Sequence, residues 1–327
     1  MTSQTMYILM LLLVCLGGVV YVLFISRSKR IGRFLYTRAM SLERTKAGLS
    51  TSTHTINGVP ISCYANFSLS DSQNNTPTKA DKRPVLLLLH GFSANKCIWH
   101  RFAMQAKKDY RLIIPDMLGH GDTPYSASQS YSTEQQADML QALLDMLLVD
   151  KCMVIGNSMG GMIAMKLMQR QPMRFIKAIL LDPAGAKTDF ALGMQATGAN
   201  PFLHKNMQHF FNMYNRTMAA PPFFPPCVLH YIGHHEYLQK DRQLSHMFRD
   251  FFNLNDFFDK PIKVDSNALM LVWGEEDGLV PVSDAAYWTE LTACKPLIYA
   301  NVGHMPMIEI PQKCYRDCKE FLEKPVR

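Results

Sequence analysis

The sequence predicts an α/β fold built on a doubly wound, mostly parallel sheet, with an inserted cap and one preceding transmembrane helix. Three observations support this prediction. Apolar, strand-like runs alternate with helical stretches, as they do where helices cover both faces of a parallel sheet. This alternation is interrupted over about 184–262 by a segment rich in aromatic residues. A run of 20 residues without charge, 6–25, precedes the alternating region.

The apolar run Met6–Ile25 would span about 30 Å as a helix, the thickness of a bilayer core. The stretch 26–46 holds seven Lys or Arg residues against Glu43, so it accounts for all but one unit of the net charge of +7, and the excess does not belong to a nucleic-acid-binding face. A cleaved signal peptide would place basic residues before the run. We expect a single-pass membrane protein with an anchor over 1–30 and a basic juxtamembrane linker over 31–50. By the positive-inside rule the rest of the chain is cytoplasmic; export after signal cleavage is the alternative.

The main domain, 51–327, begins with a predicted hairpin over 52–65, whose turn is Asn57-Gly58, and a polar surface loop over 68–83. The run 85–89 has five consecutive apolar residues, as expected for a strand buried on both faces. Further strands are predicted at 111–115, 152–155, 175–181, 268–273 and 297–299. Helices are predicted near 97–108 and at 133–148, 162–170, 284–291 and 312–321.

The strongest local signal is the sequence GNSMGG at 156–161, which follows an apolar strand and opens a helix. In a strand–Gly-x-Ser-x-Gly–helix turn the serine, here Ser158, is strained and exposes its hydroxyl above the sheet as a nucleophile. Glycine flanks it because the backbones of the turn come into close contact. A phosphate-binding helix start is the alternative, but the sequence has neither GxGxxG nor a Walker lysine.

A serine nucleophile needs a base, and an acid that orients the base. In this architecture the acid and then the histidine follow the serine, each after a later strand. His304 follows the last predicted strand and is the expected base. Asp277 follows the penultimate strand, ahead of a glycine turn, and is the expected acid. The competing acids are Glu275, Glu276 and Asp182.

The oxyanion of the reaction needs backbone N–H donors near the serine. We expect them from Met159, directly after the nucleophile, and from Phe92, in the loop after strand 85–89. His90 in the same loop is interpreted as a structural anchor rather than a second base. Asp116 and Asp122 lie in a polar turn and are expected to hold it through backbone N–H groups.

The interrupting segment is expected to be a cap over the site. Residues 190–258 contain 14 of the 34 aromatic residues. These rings either pack the core of the cap or line an apolar lid, and the lid predicts a hydrophobic substrate. Phe223 and Phe224, braced by prolines on both sides, are the candidate substrate-binding residues. The pair His234-His235 lacks a third ligand at a recognisable spacing, so neither a metal nor another cofactor is predicted.

Six motifs in order resemble the α/β-hydrolase superfamily over about 50–325: LLLHGFSANKCIW, RLIIPDMLGHGDT, VIGNSMGGMIA, LLDPAG, LVWGEEDGLVP and VGHMPMIE. Within it they are similar to the bacterial lipases of family V and to membrane-anchored monoacylglycerol lipases. The resemblance implies a lidded serine hydrolase of carboxylic esters, with a Ser158–Asp277–His304 triad and oxyanion donors at Phe92 and Met159. Many secreted members begin with a cleaved signal, whereas this chain has the pattern of an anchor.

We therefore expect a membrane-anchored ester hydrolase that acts on acylglycerol-type or other apolar esters through an acyl-enzyme. Two alternatives stay open. GNSMGG also resembles C–C bond hydrolases of aromatic ring-fission products, although those usually have a more glycine-rich oxyanion loop. The second alternative is a membrane-tethered, non-catalytic binding module on a hydrolase scaffold. Dehalogenases and epoxide hydrolases are excluded because they need an aspartate at the position of Ser158.

Overall fold

A computed structural model of the protein describes residues 3–68 and 81–325. Its strands are β1 (Ser50–Ile56), β2 (Val59–Ala65), β3 (Val85–Leu89), β4 (Arg111–Pro115), β5 (Cys152–Asn157), β6 (Phe175–Leu181), β7 (Leu269–Gly274) and β8 (Leu297–Tyr299). They form one sheet in the order β1-β2-β4-β3-β5-β6-β7-β8. β2 is antiparallel to β1 and β4, and the other neighbours are parallel. The predicted doubly wound, mostly parallel sheet is confirmed.

Helices cover both faces of this sheet and the segment between β6 and β7. They are α1 (Ser3–Arg27), α2 (Lys29–Ala47), α3 (His100–Ala106), α4 (Thr133–Met146), α5 (Met159–Arg170), α6 (Asp189–Thr197), α7 (Met207–Thr217), α8 (Pro226–Ile232), α9 (Asp241–Phe251), α10 (Asp284–Thr292), α11 (Pro306–Glu309) and α12 (Pro311–Glu323). The helix predicted near 97–108 is instead a 3₁₀ turn, Lys96–Trp99, followed by α3. Of the predicted loop 68–83, residues 69–80 lie outside the described part of the chain.

The central strands have the burial that their continuous apolar runs predict. All residues of β3 and β5 are buried. Leu87 and Leu89 pack into the core on one face of the sheet, whereas Leu86 and Leu88 pack into the core on the other. Because side chains alternate along a strand, a strand between two helical layers needs apolar residues at every position. The sheet is therefore rigid where its carboxyl ends present the site.

The N-terminal region is two helices separated at Ser28, which caps α2 by accepting the N–H of Ile31. α1 is long and apolar enough over Gln4–Val22 to cross a membrane, a test that a signal sequence also passes. α2 ends at Gly48, whose left-handed φ of 68° suits glycine. It packs against α8 of the interrupting segment at Gly32, where an added Cβ would lie 2.0 Å from the carbonyl oxygen of Cys227. The basic segment is thus a docked helix.

Between β6 and β7 the chain leaves the sheet and forms α6 to α9, joined by short 3₁₀ and π turns. An isolated parallel bridge between Ala186 and Phe258 joins the beginning of this segment to its later part. Phe251 and Phe257 of the segment are buried in the same apolar core as the sheet face beneath them. The interruption therefore lies over the carboxyl ends of the strands and is packed on them.

Candidate active site

Ser158 sits at the turn between β5 and α5 in a strained conformation. Its φ of 55° and ψ of −119° lie outside the regions that side chains favour. Its backbone N–H donates to the carbonyl of Leu181 at 3.0 Å, which fixes the turn to the end of the neighbouring strand. The residue is buried at 9% exposure but lines a cavity. This is the geometry that the Gly-x-Ser-x-Gly pattern predicts.

Two glycines make the turn possible. A Cβ on Gly156 would lie 2.1 Å from the carbonyl oxygen of Gly160, and a Cβ on Gly160 would lie 2.5 Å from that of Leu89. Contacts this short exclude any side chain. The backbone of the turn therefore packs directly on itself and on the end of β3, which holds Ser158 beside the loop that follows β3.

His304 and Asp277 lie together, as predicted. His304 Nδ1 is 2.6 Å from Asp277 Oδ2, and both residues are buried. The other carboxylate oxygen of Asp277 accepts the backbone N–H groups of Leu279 and Val280 at 2.7 and 2.9 Å. With three hydrogen-bond partners around it, the Asp277 carboxyl group is held in a fixed orientation as an acceptor. His304 lines the same cavity as Ser158.

Two side chains that the sequence analysis did not select support this pair. Asn157 Nδ2 donates to the carbonyls of Leu181 and His304 at 3.2 and 3.0 Å, which ties the serine turn to the histidine loop. Glu309 accepts the N–H of Gly303 at 3.1 Å and, across the site, that of Ala220 at 2.9 Å. The signals were present in the sequence, since Asn157 precedes the serine and Glu309 ends the histidine motif, but neither residue type is diagnostic by itself.

The competing acids have other places. Glu275 and Glu276 are exposed. Asp182 is fully buried after β6, and its Oδ1 accepts the N–H of Gly274 at 2.7 Å. Asp182, Asp277 and His304 have ligand atoms within 4.8 Å of one another, and in the described residues no other cluster has metal-type ligands of this kind. Within this cluster, His304 and Asp277 are hydrogen-bonded to each other.

The loop after β3 lies against Ser158. A Cβ on Gly91 would be 3.1 Å from Ser158 Cβ, so the backbone at 91–92 passes directly beside the serine. The ring of Phe92 packs on Phe202 at 4.9 Å and on Phe251 at 5.6 Å between centroids. The side chain of Phe92 therefore fixes this loop to the segment above. Met159, which follows the serine, is buried.

His90 and Asp116 are arranged as anchors. His90 Nδ1 donates to the carbonyl of Gly91 at 2.8 Å and its Nε2 accepts the N–H of Met117 at 3.0 Å. This arrangement needs a neutral ring, and burial lowers the pKa of His90 to about 4. Asp116 accepts the N–H groups of Lys96 and Asp122, both at 2.8 Å. It also pairs with the buried Lys96 ammonium, which the sequence analysis did not foresee.

A cavity of about 200 Å³ extends from Ser158 and His304. Its wall is mostly apolar and is built from three parts of the chain: the loop after β3, the segment between β6 and β7, and α2. From α2 come Tyr36, Met40 and Glu43. These positions are four and three residues apart, which places them on one face of a helix. The sequence analysis assigned this stretch to a linker, because its basic residues hid the spacing.

The two candidate substrate-binding residues, Phe223 and Phe224, lie in different environments. Phe224 lines the cavity. Phe223 is 86% exposed and is not part of the cavity wall, so the expectation for Phe223 is corrected. The segment around them has no helical structure, and neighbouring side chains of an extended segment point to opposite sides. One ring of the pair therefore faces the cavity and the other faces solvent.

A second, smaller cavity of about 50 Å³ shares Ser158, Phe92 and Phe202 with the first. It extends under the segment between β6 and β7, and its wall is largely aromatic. Asp284 lies at this cavity, where Thr188 donates to it at 2.9 Å and burial raises its pKa to about 6. Ser158 thus lies between two apolar cavities of unequal size.

Comparison with known proteins agrees with this fold. Residues 84–225 match the family model described as alpha/beta hydrolase fold. Lipase 1 of Psychrobacter immobilis is 30% identical over 241 residues, which are 72% of this chain and 76% of that one. Human monoacylglycerol lipase ABHD6 is 26% identical over 258 residues, 73% and 75% of the two chains. The crystal structure of a membrane phospholipase A described as a bacterial virulence factor has a TM-score of 0.75 at 25% identity and covers 98% of both chains.

The fold, the strained serine turn and the relatives define a carboxylic ester hydrolase. The chain belongs to the α/β-hydrolase family and resembles its lipases.

Proposed function

We propose that the protein is a membrane-anchored lipase that hydrolyses acylglycerol-type or similar long-chain esters with a Ser158–His304–Asp277 triad. One observation carries this proposal: a buried His304–Asp277 pair, 2.6 Å apart, lies at the end of a large apolar cavity that also contains the strained Ser158. The printed names of the relatives, which include a lipase and a monoacylglycerol lipase, support the same substrate class.

In this proposal the proton of the Ser158 hydroxyl passes to His304 Nε2 as the oxygen attacks the ester carbonyl. His304 can take up this charge because Asp277 holds its Nδ1–H and stabilises the imidazolium. The tetrahedral oxyanion is bound by the backbone N–H groups of Phe92 and Met159. When the tetrahedral intermediate collapses, the C–O bond breaks and the leaving alkoxide takes the proton from His304.

The acyl-enzyme that remains is hydrolysed by the same groups. Water gives a proton to His304 and its oxygen attacks the acyl carbonyl. The second tetrahedral intermediate then collapses, releases the carboxylic acid and returns the proton to Ser158. The apolar wall of the cavity supports a long acyl chain as ligand, since each buried methylene contributes about 0.8 kcal/mol of binding free energy.

For the organisation of the chain we propose an anchor over 1–30, a juxtamembrane region over 31–50 and a hydrolase domain over 51–327 with its cap at about 184–262. We also propose that α1 spans the membrane and, because the basic residues follow it, that the hydrolase domain is cytoplasmic. The described side chains of α1 are exposed rather than buried against the hydrolase domain, and this supports an apolar environment around the helix.

The decisive experiment combines labelling and turnover. A fluorophosphonate probe should label the wild-type protein at Ser158 and should not label Ser158→Ala. With a monoacylglycerol as substrate, Ser158→Ala and His304→Ala should each lower kcat by roughly 10³-fold or more. Labelling at another residue, or turnover by Ser158→Ala close to wild type, would reject the triad. Hydrolysis of acetyl esters without any hydrolysis of long-chain esters would reject the lipase assignment and keep the esterase.

A further inference from the structure

Asp182 lies beside the proposed triad and has no role in the mechanism above. It is the first residue after β6 and has a left-handed φ of 47°. Its side chain has no exposure. Aspartate tolerates this backbone conformation better than most residues, but only glycine would adopt it without strain. An aspartate at this position therefore lowers the stability of the fold in two ways, through its strained backbone and through the burial of its carboxyl group.

The hydrogen bonds of the two carboxyl groups are unequal. Asp277 accepts three hydrogen bonds, two from backbone N–H groups and one from His304. Asp182 accepts one, from the N–H of Gly274 to its Oδ1. Its Oδ2 is buried and has no hydrogen-bond partner in the part of the chain that the structure describes. Ligand atoms of Asp182, Asp277 and His304 all lie within 4.8 Å of one another.

Two carboxyl groups this close do not both ionise readily in a buried site. The group with more donors keeps the charge, which is Asp277. Burial, and then the charge of Asp277, raise the pKa of Asp182 well above its usual range, against a smaller opposing effect of the Gly274 N–H. His304 also lies within 4.8 Å of this group, and the Cys314 thiol and the Glu309 carboxylate raise the pKa of Asp182 further.

We propose that Asp182 is a second carboxyl group of the triad: a positioning residue that remains protonated while Asp277 is ionised, and that becomes the carboxylate partner of His304 when Asp277 is absent. The two aspartates follow neighbouring parallel strands, β6 and β7, so both reach the same edge of the sheet as His304. This inference rests on the proposed triad. The step it adds is a loss of the Asp182 proton to water, after which its carboxylate stabilises the imidazolium.

The first test compares Asp277→Ala with Asp277→Asn on one soluble ester. Alanine removes the like charge and leaves room beside His304, so Asp182 can ionise and approach the ring. Asparagine fills that room, and its amide favours the wrong tautomer of His304. We expect kcat of Asp277→Ala to exceed that of Asp277→Asn by tenfold or more. Equal kcat values in the two variants would overturn the inference.

The second test is a double-mutant cycle. Asp182→Asn should lower kcat less than tenfold when Asp277 is present and by more than tenfold in the Asp277→Ala background, because only there is its charge used. The pH–rate profile of Asp277→Ala should contain an ionisation that disappears in Asp277→Ala/Asp182→Asn, an effect that a purely structural role does not produce. Equal effects in both backgrounds, or identical pH profiles, would overturn the inference.

Asp138→Asn in the Asp277→Ala background is the matched control, since Asp138 is an exposed carboxylate that pairs with Arg170 on the surface at 2.8 Å. It should leave the residual kcat unchanged. If the Asp182→Asn proteins do not fold, the comparison of the two Asp277 variants still decides. The two possible failures can be told apart. If the proposed triad is wrong, Ser158→Ala remains active. If only this inference is wrong, Ser158→Ala is inactive, but the effects of the Asp182 and Asp277 substitutions on kcat are additive.

Discussion

The separation of Phe223 from Phe224 gives the sharpest test of how the cavity selects its substrate. The two rings are adjacent in the chain and have the same size and the same proline-rich surroundings, yet Phe224 lines the cavity and Phe223 is 86% exposed. Replacing each one by alanine therefore makes a matched pair of variants. Phe224→Ala should reduce the preference for long acyl chains, and Phe223→Ala should not.

The magnitude follows from the contact that is lost. A phenyl ring at the wall covers about two methylenes of an extended chain, and each buried methylene is worth about 0.8 kcal/mol, so the loss is about 1.5 kcal/mol. Since about 1.4 kcal/mol corresponds to a factor of ten, kcat/KM for a chain that reaches Phe224 should fall roughly tenfold. An acetyl group is too short to reach the ring, so its kcat/KM should change by less than about twofold.

The assay is a series of p-nitrophenyl esters from C2 to C12, measured below their critical micelle concentrations so that each substrate is monomeric. The quantity to compare is the ratio of kcat/KM for C10 to kcat/KM for C2, because a change in the amount of active enzyme cancels in the ratio. Wild type, Phe223→Ala and Phe224→Ala are measured in the same detergent, and thermal unfolding confirms that all three are folded.

Two results would refute this reasoning. An equal loss on C2 and C10 in Phe224→Ala would mean that the ring only packs the interrupting segment and that acyl chains bind elsewhere. An equal fall of the ratio in Phe223→Ala would mean that the exposed ring also contacts the chain, and the assignment of the cavity wall would then be wrong.

Other predictions concern stability, packing and location. Burial lowers the pKa of His90 to about 4, so its neutral form stabilises the fold above the unfolded-state pKa of about 6.5, and this contribution, up to about 3 kcal/mol, is lost as pH falls from there towards 4. Urea unfolding should give a lower stability at pH 4.5 than at pH 7.5 in wild type, to which His100, His120 and His204 also contribute, and the decrease should be smaller in His90→Asn by up to the His90 contribution. Gly32→Leu should lower the free energy of unfolding by about 1–3 kcal/mol, because its side chain would collide with the carbonyl of Cys227; Gly193→Leu, where nothing lies near, is the control. The full-length protein should stay in membranes through alkaline carbonate extraction, with its N-terminus intact by mass spectrometry; cleavage between residues 20 and 50 would disprove the anchor.

The sheet could be predicted closely because each of its strands has a strong local pattern. The predicted ranges 111–115 and 175–181 coincide with β4 and β6. Boundaries moved where a turn competes with a helix. The start of α5 is Met159 rather than the predicted 162, because the serine turn leads directly into the helix. Glycines at 160 and 161 disfavour a helix by propensity, but close packing against β3 and Pro183 requires them there.

The placement of the serine, histidine and acid was predictable for the same reason: each follows a recognisable strand. The wall of the cavity was not, because it is made of residues that are distant in sequence and have no motif. The ring of Tyr36 on α2 lies 5.8 Å from the ring of Tyr231 on α8, and no local sequence pattern predicts this contact. Nor does the sequence tell which of two adjacent phenylalanines faces inwards, since that depends on one backbone rotation.

The docking of α2 gives the membrane-proximal end of the chain a second task. Tyr36, Met40 and Glu43 line the cavity, and they come soon after the end of α1 at Arg27. A chimaera that replaced the first 48 residues, made only to send the enzyme to another membrane, would also rebuild one side of the substrate chamber. If the proposed anchor and the proposed acyl-chain cavity are both correct, membrane targeting and chain-length preference depend on one continuous stretch of this chain. A soluble form for crystallisation should accordingly begin no later than Ser28, the residue that caps α2.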